Sequence, residues 1–106
     1  MRTKRQHVIN KVLKRFPDRV CCLCGSSPIQ LHHNLIFAGK QVHHVKTILP
    51  VCVRCHTQAN KVEVREKLDL IMLKQMTKKE LQMFSKVVDL EARLKYLYDK
   101  HTQQTQ

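Results

Sequence analysis

Acidic residues are scarce in this 106-residue chain, and residues 1–61 contain a single one, Asp18. The same segment contains 11 Lys and Arg, whereas residues 62–106 contain 9 against 7 acids, and the whole chain has a formal charge of +12. Such a balance is typical of a protein that binds a polyanion, with nucleic acid as the first expectation. The basic part also contains all the cysteines, a coincidence that a merely solubilising charge does not require.

Long apolar runs are missing as well. No stretch is long enough to span a bilayer, and residues 1–14 are basic and polar, without the apolar core of a secretory leader. We therefore expect a cytoplasmic protein without membrane contacts, in a compartment where disulfides are rare. The small size and basic character are also typical, by association only, of proteins encoded by phages and mobile elements.

Five cysteines are present, and four of them form two Cys-x-x-Cys pairs, Cys21 with Cys24 and Cys52 with Cys55. An odd count with this spacing favours a metal over disulfides in a reducing compartment. Two such pairs can close one tetrahedral zinc site, which would also stabilise a chain this short. Cys22 is left over and is interpreted as a small buried hydrophobic residue, although it could replace Cys21 as a ligand.

The residue pattern predicts an α+β fold built around these cysteines. A short basic helix within residues 1–20 should end near Phe16-Pro17, because the residue before a proline avoids the helical region. Two strands and a second helix then form a ββα unit. The strands are expected at Ile29–Leu35 and Val42–Val51, with a loop at Ala38–Lys40 between them and the helix from about Val53.

This unit belongs to an expected first domain, residues 1–66, and residues 67–106 form a helical extension, with two C-terminal α-helices expected in all. Thr77–Glu80 has the sequence of a capping box, and the apolar spacing after it predicts one long amphipathic helix to about Lys100. The run Leu68–Met76 is apolar on more than one side. The helices either pack on the ββα unit or form a homodimer, and the sequence leaves both interpretations open.

Three of the seven histidines, which the four-cysteine site does not need, match a further pattern: His32, His33 and His56. His56 and Asn60 are four residues apart and would share a helix face, with His32 on the strand opposite. Two imidazoles and an amide oxygen would form a second, open metal site, as metal catalysis requires. His33 projects differently from the strand and suits a base beside the ion. A second pair, His43-His44, lacks this pattern and is interpreted as loop or strand surface.

Together these motifs resemble the HNH endonucleases, also called ββα-metal or His-Me finger nucleases. The resemblance covers about residues 20–60 and depends on the combined spacing of several short pieces. These pieces are Cys21 and Cys24, the Leu31-His32-His33 step, the segment Leu49–His56 with its Cys-x-x-Cys-His, and Asn60.

The resemblance implies a role for each matched residue. It places His33 at the general base, and His32 and His56 at the two ligands of the catalytic ion. Asn60 falls where some members have a third ligand. Thr47 stands where the family has an asparagine that orients the base, so we expect its hydroxyl to make a hydrogen bond there.

The activity implied by the resemblance is hydrolysis of DNA phosphodiester bonds, in duplex or branched DNA, with one divalent ion. Two imidazoles without a carboxylate should bind Mn²⁺, Ni²⁺, Co²⁺ or Zn²⁺ more tightly than Mg²⁺. The alternative is a zinc-stabilised nucleic-acid-binding or adaptor protein without catalysis. The expected phosphate contacts, which serve either function, are Lys14, Arg15, Lys40, Lys46, Arg54 and Lys61.

Overall fold

The computed structural model describes residues 4–37, 39–85 and 88–103, which form a small fold of mixed helix and strand. The α+β class is therefore confirmed. In chain order, the described elements are α1 (Lys4–Arg15), β1 (Ile29–His33), β2 (Ile36–Phe37), β3 (Lys40–Gln41), β4 (Ile48–Cys52), α2 (Val53–Thr57), α3 (Val62–Lys74), α4 (Lys78–Phe84) and α5 (Leu90–Gln103).

The two longer strands pair with each other, and β1 carries His32 and His33. β1 and β4 run antiparallel, from Ile29 opposite Cys52 to His33 opposite Ile48. β4 is buried along its whole length, and α2 follows it directly with Cys52 as its N-cap. Because α2 contacts both strands, this arrangement places it beside β1.

The second long strand begins at Ile48 and not at Val42, so that prediction was wrong. The N–H of Val42 donates to the carbonyl of Leu35 at 2.8 Å, while its own carbonyl lies 3.0 Å from the buried Thr47 hydroxyl. The Thr47 hydroxyl closes residues 42–47 into a loop, because it occupies a backbone carbonyl that a strand would pair with its neighbour.

A short hairpin precedes this loop and replaces part of the predicted connection. β2 pairs with β3 in an antiparallel register, and Gly39 between them has a φ of +78° that suits glycine. Lys40, expected in a loop, belongs to β3. Ala38 lies outside the described residues.

Two helix boundaries confirm the predictions. α1 ends at Arg15, directly before Phe16-Pro17, as expected from the steric effect of proline on the preceding residue. The capping box at the start of α4 is also present. The Thr77 hydroxyl accepts the N–H of Glu80 at 3.1 Å, and the Glu80 carboxylate accepts the N–H of Thr77 at 2.9 Å.

The long C-terminal helix is in fact two helices, so the prediction of one was wrong. α4 ends at Phe84, after which the Ser85 hydroxyl donates to the carbonyl of Leu81 at 2.6 Å and accepts the N–H of Leu90 at 2.9 Å. The Asp89 carboxylate accepts two N–H groups from the first turn of α5. These side chains satisfy the backbone groups at two helix ends, which allows the chain to turn.

One hydrophobic core joins the cysteine region to the C-terminal helices. α3 runs across the expected boundary at residue 66, and Glu66 pairs with Lys100 of α5 at 2.9 Å. Among the described residues, no helix has the length and apolarity needed to cross a bilayer. The buried side chains of this core include Cys21, Leu49, Val51, Cys52, Leu68, Met72, Leu73, Met76, Leu81, Phe84, Leu90 and Leu97.

Candidate functional site

The four cysteines of the two Cys-x-x-Cys pairs come together, with all four sulfur atoms within 4.8 Å of one another. Cys24 Sγ is 3.6 Å from Cys52 Sγ and 3.8 Å from Cys55 Sγ. A zinc ion bonded to four sulfurs at about 2.3 Å holds them about 3.8 Å apart. Cys21, Cys24, Cys52 and Cys55 are therefore positioned to hold a metal ion, in agreement with a structural zinc site.

Each Cys-x-x-Cys turn directs a backbone N–H group at a sulfur atom. In the first turn, Gly25 has a φ of +75° and donates its N–H to the carbonyl of Cys21 at 2.9 Å, while the N–H of Leu23 points at Cys21 Sγ at 3.4 Å. In the second, the N–H of Cys55 points at Cys52 Sγ at 3.4 Å. Such N–H groups favour a thiolate over a thiol.

Without a bound cation, the thiols of the cluster do not all favour the thiolate form. Hydrogen bonds from Ser26 lower the pKa of Cys24 to about 6, whereas burial and the neighbouring thiols raise the pKa of Cys55 to about 12. A bound metal ion removes this difference in protonation, since it binds all its cysteine ligands as thiolates. Cys22 packs against the core outside the cluster, and burial raises the pKa of its thiol to about 11.

His32 and His56 are brought together from β1 and α2. Their ring centroids are 5.1 Å apart and their planes meet at 70°. Gln30, two residues before His32 on the same face of β1, places its Oε1 2.6 Å from His56 Nδ1. His32 Nε2 lies 3.1 Å from Asn34 Oδ1. Each imidazole therefore has one nitrogen bonded to the oxygen of a side-chain amide.

The charge state of His32 also suits a metal ligand. Its ring is half-buried between β1 and α2. Burial, and after it the nearby His56 imidazole, lowers the pKa of His32. A lowered pKa favours the neutral imidazole at physiological pH, and the neutral form is the one that binds metal ions.

Asn60 does not share a helix face with His56, so that prediction was wrong. α2 ends at Thr57, and the N–H groups of Gln58 and Ala59 bond to carbonyls three residues back, both at 3.2 Å. Such tight turns break the four-residue periodicity on which the prediction depended. In the described part of the chain, only the four cysteines form a group of three or more Cys, His, Asp or Glu side chains placed to hold a metal.

His33 is paired with His43, a partner that the sequence pattern did not indicate. His33 Nε2 is 2.9 Å from His43 Nδ1, and the two rings stack with centroids 5.1 Å apart at 28°. The His43-His44 pair, interpreted from the sequence as loop or strand surface, lies in the loop before β4, and both residues are half-buried. His44 packs edge-on against Phe84 at 5.1 Å. No local signal identifies these contacts, since each joins residues distant along the chain.

Thr47 has a structural role in the loop, which corrects its expected role beside the base. Its side chain is fully buried. Its hydroxyl lies 3.0 Å from the carbonyl of Val42 and 3.1 Å from that of His44, and accepts the N–H of His44 at 3.3 Å. A hydroxyl has one donor hydrogen and two lone pairs, so the loop occupies the donor. The contact to His33 comes from His43.

A further polar chain runs from His32 to the C-terminal helices. Asn34 Nδ2 donates to Asp69 Oδ1 at 2.9 Å, and Arg93 donates to Asp69 Oδ2 at 3.1 Å. Asn34 directly follows the two histidines in sequence, which could have marked it as a site residue. Asp69 and Arg93 lie on α3 and α5, and only packing of those helices brings them here.

The basic residues expected to contact DNA fall into two groups. Lys14, Lys40, Arg54 and Lys61 are exposed. The other two have partners within the protein. Lys46 donates to the carbonyl of Gln75 at 2.8 Å and pairs with Glu80 at 3.1 Å, and Arg15, which is also exposed, donates to Gln75 Oε1 at 2.7 Å.

No family model, curated protein or solved structure matches this chain. The function must therefore be inferred from the side chains themselves. Two neighbouring groups carry that inference. One is the four-cysteine cluster, and the other is the histidine group on β1, α2 and the loop before β4.

Proposed function

We propose that this protein is a metal-dependent DNA endonuclease of the HNH kind, in which β1, β4 and α2 form a zinc-stabilised ββα-metal finger. The observation that carries the proposal is the arrangement of His32 and His56. Their rings lie 5.1 Å apart, and each has one nitrogen bonded to an amide oxygen. This leaves one ring nitrogen on each imidazole for a shared divalent ion.

The ring spacing agrees with two imidazoles on one ion. At metal–nitrogen distances of about 2.1 Å, two imidazoles at a tetrahedral or octahedral angle have centroids about 4.5 to 5.2 Å apart. Histidine ligands also commonly donate their second ring N–H to an oxygen acceptor, and Gln30 and Asn34 provide such acceptors here. The ligand type favours Mn²⁺, Ni²⁺, Co²⁺ or Zn²⁺ over Mg²⁺ in affinity.

The chain's own residues would divide the hydrolysis between them. His33 takes a proton from the attacking water as the water oxygen bonds to phosphorus and the bond to the 3′ oxygen breaks. His43, whose Nδ1 lies 2.9 Å from His33 Nε2, would hold the ring of the base in place. His32 and His56 would hold a divalent ion, which would stabilise the negative charge on the phosphate.

The basic charge supports a polyanionic substrate. Residues 1–61 have a net charge of +10, and this segment includes the cysteine and histidine groups. The exposed residues Lys14, Lys40, Arg54 and Lys61 are available for phosphate contacts. Lys46 and Arg15, which have internal partners, would need to exchange them to bind DNA.

A plasmid-nicking assay across several divalent metals tests the proposal. We expect His33→Ala to reduce nicking by about 10²- to 10⁴-fold, the usual contribution of a general base, with the zinc content unchanged. His101→Ala, a substitution on α5 away from the finger, is the matched control and should nick like the wild type. A zinc-loaded wild type that cuts neither duplex, branched nor single-stranded DNA would refute the proposal.

A non-catalytic zinc-stabilised DNA-binding protein is the second candidate. The observation in its favour is that, among the described residues, no carboxylate joins His32 and His56 in a group placed to hold a metal. This candidate predicts salt-dependent DNA binding that His33→Ala leaves unchanged, with no cleavage by either protein. Both functions predict that a triple substitution of Lys40, Arg54 and Lys61 weakens DNA binding. Only the nicking assay therefore distinguishes the two functions.

A further inference from the structure

Asn34 lies between His32 and the C-terminal helices. Its Oδ1 is 3.1 Å from His32 Nε2, and its Nδ2 donates to Asp69 Oδ1 at 2.9 Å. Asp69 of α3 in turn accepts from Arg93 of α5 at 3.1 Å. Four side chains from β1, the residue after it, α3 and α5 are linked in one hydrogen-bonded chain.

The chemistry at the Asp69 end sets the direction of each hydrogen bond. A carboxylate paired with arginine accepts and does not donate, so Asn34 must turn its NH₂ group toward Asp69. Met72 Sδ, a weak acceptor, lies 3.5 Å from the same Nδ2 and agrees with this orientation. The amide oxygen of Asn34 then faces His32, and because that oxygen only accepts, His32 Nε2 must carry the hydrogen.

We propose that Asn34, Asp69 and Arg93 are positioning residues that hold neutral His32 as its Nε2–H tautomer and leave Nδ1 as its metal-binding atom. The metal-binding part rests on the proposed function, whereas the tautomer does not. A hydrogen bond to one ring nitrogen selects the nitrogen that a metal can use. Through this chain, α3 and α5 act on a ligand of the ββα unit from outside it.

The isosteric substitution Asp69→Asn should invert the tautomer. Arg93 can only donate, so the new amide would turn its oxygen toward Arg93 and its NH₂ group toward Asn34. Asn34 would then rotate its oxygen toward residue 69 and its NH₂ group toward His32. Since Nε2 of His32 would have to accept that hydrogen bond, its hydrogen would move to Nδ1, the atom needed by the metal.

Long-range ¹H–¹⁵N NMR spectra of the histidine rings measure this directly, because they distinguish the two neutral tautomers and the imidazolium. The zinc-loaded protein would be studied at a pH where the ring is neutral, with His32→Gln used to assign the signals of His32. We expect the Nε2–H pattern in the wild type and the Nδ1–H pattern in Asp69→Asn. Asp99→Asn, an exposed acid on α5, should keep the wild-type pattern.

A wild type with the Nδ1–H pattern, or an unchanged pattern in a folded Asp69→Asn, would overturn the proposal. If Asp69→Asn does not fold, Asn34→Ala serves instead, because it removes the acceptor at Nε2 and should give a mixture of tautomers. An unchanged Nε2–H pattern in that variant would likewise overturn the proposal.

Calorimetry can measure whether a second equivalent of Zn²⁺ binds after the cysteine site is filled. This measurement tests the proposed function independently of the tautomer. We expect Asp69→Asn to weaken binding of the second ion by about 10- to 100-fold, the usual effect of losing a partner of a metal ligand. A wild type that binds no second ion would refute the endonuclease proposal and the assignment of Nδ1 as a ligand. The tautomer would still be decided by the NMR spectra.

Discussion

Substitution of Cys52 should abolish zinc binding, whereas substitution of Cys22 should not. Cys52 is buried, lies in the four-sulfur cluster and caps α2. Cys22 is two residues from Cys24 but outside the cluster. Cys52→Ala and Cys22→Ala each remove one thiol, so Cys22→Ala controls for the loss of a cysteine that lies outside the cluster.

The expected magnitude follows from linkage between metal binding and folding. At free zinc about 100-fold above its Kd, binding to the folded state alone adds about 2.7 kcal/mol to the free energy of unfolding. For a domain of this size, each kcal/mol corresponds to about 4 to 8 °C in Tm. Chelation of wild type or Cys22→Ala should therefore lower Tm by at least about 10 °C.

Zinc content and thermal unfolding with and without a chelator provide the assay. Wild type and Cys22→Ala should retain one zinc ion per chain and show the chelator effect. Cys52→Ala should lose most of its zinc and melt at the same low temperature with or without chelator. The reasoning would be refuted if the wild type melted at the same temperature after its zinc had been removed, or if Cys52→Ala kept a full equivalent.

Two further predictions concern stability. Thr47→Val should lower the free energy of unfolding by about 1 to 3 kcal/mol, because it leaves buried backbone groups without their hydroxyl partner. Thr57→Val, at an exposed helix position, should change little in the same urea titration, and equal effects would contradict the loop role. The hydrogen bond from Lys100 lowers the pKa of Glu66 in the folded protein. The contribution of Glu66 to the free energy of unfolding is therefore complete above the pKa that Glu66 has in the unfolded chain, and it is lost as the pH falls through the pKa of Glu66 in the folded protein. The stability difference between wild type and Glu66→Gln should therefore shrink in acid, and a difference that grew there would refute this.

Several features of the metal-binding region could be predicted from sequence because they depend on short-range geometry. The two Cys-x-x-Cys spacings predicted a four-cysteine cluster, and the four sulfur atoms do lie within 4.8 Å. The placement of His32 across from His56 followed from a strand beside a helix, and their rings are 5.1 Å apart. The end of α1 before Pro17 follows from the steric restriction that proline imposes.

Other features could not be predicted, because spacing alone does not show where a competing side chain bonds. The Ser85 hydroxyl and the Asp89 carboxylate divide a continuous apolar pattern into two helices. The Thr47 hydroxyl bonds within its own loop and so shortens the second strand. Tight turns after Thr57 remove Asn60 from the face of His56.

The sequence by itself determined the composition of the site: a basic segment with four cysteines at zinc spacing and histidines on a strand and a helix. Only the tertiary structure decided the partners of those histidines. His33 meets His43 through a loop, and His32 reaches Asp69 through Asn34. Local spacing is set by backbone geometry, whereas these contacts exist because burial of one shared core brings distant helices against β1 and β4.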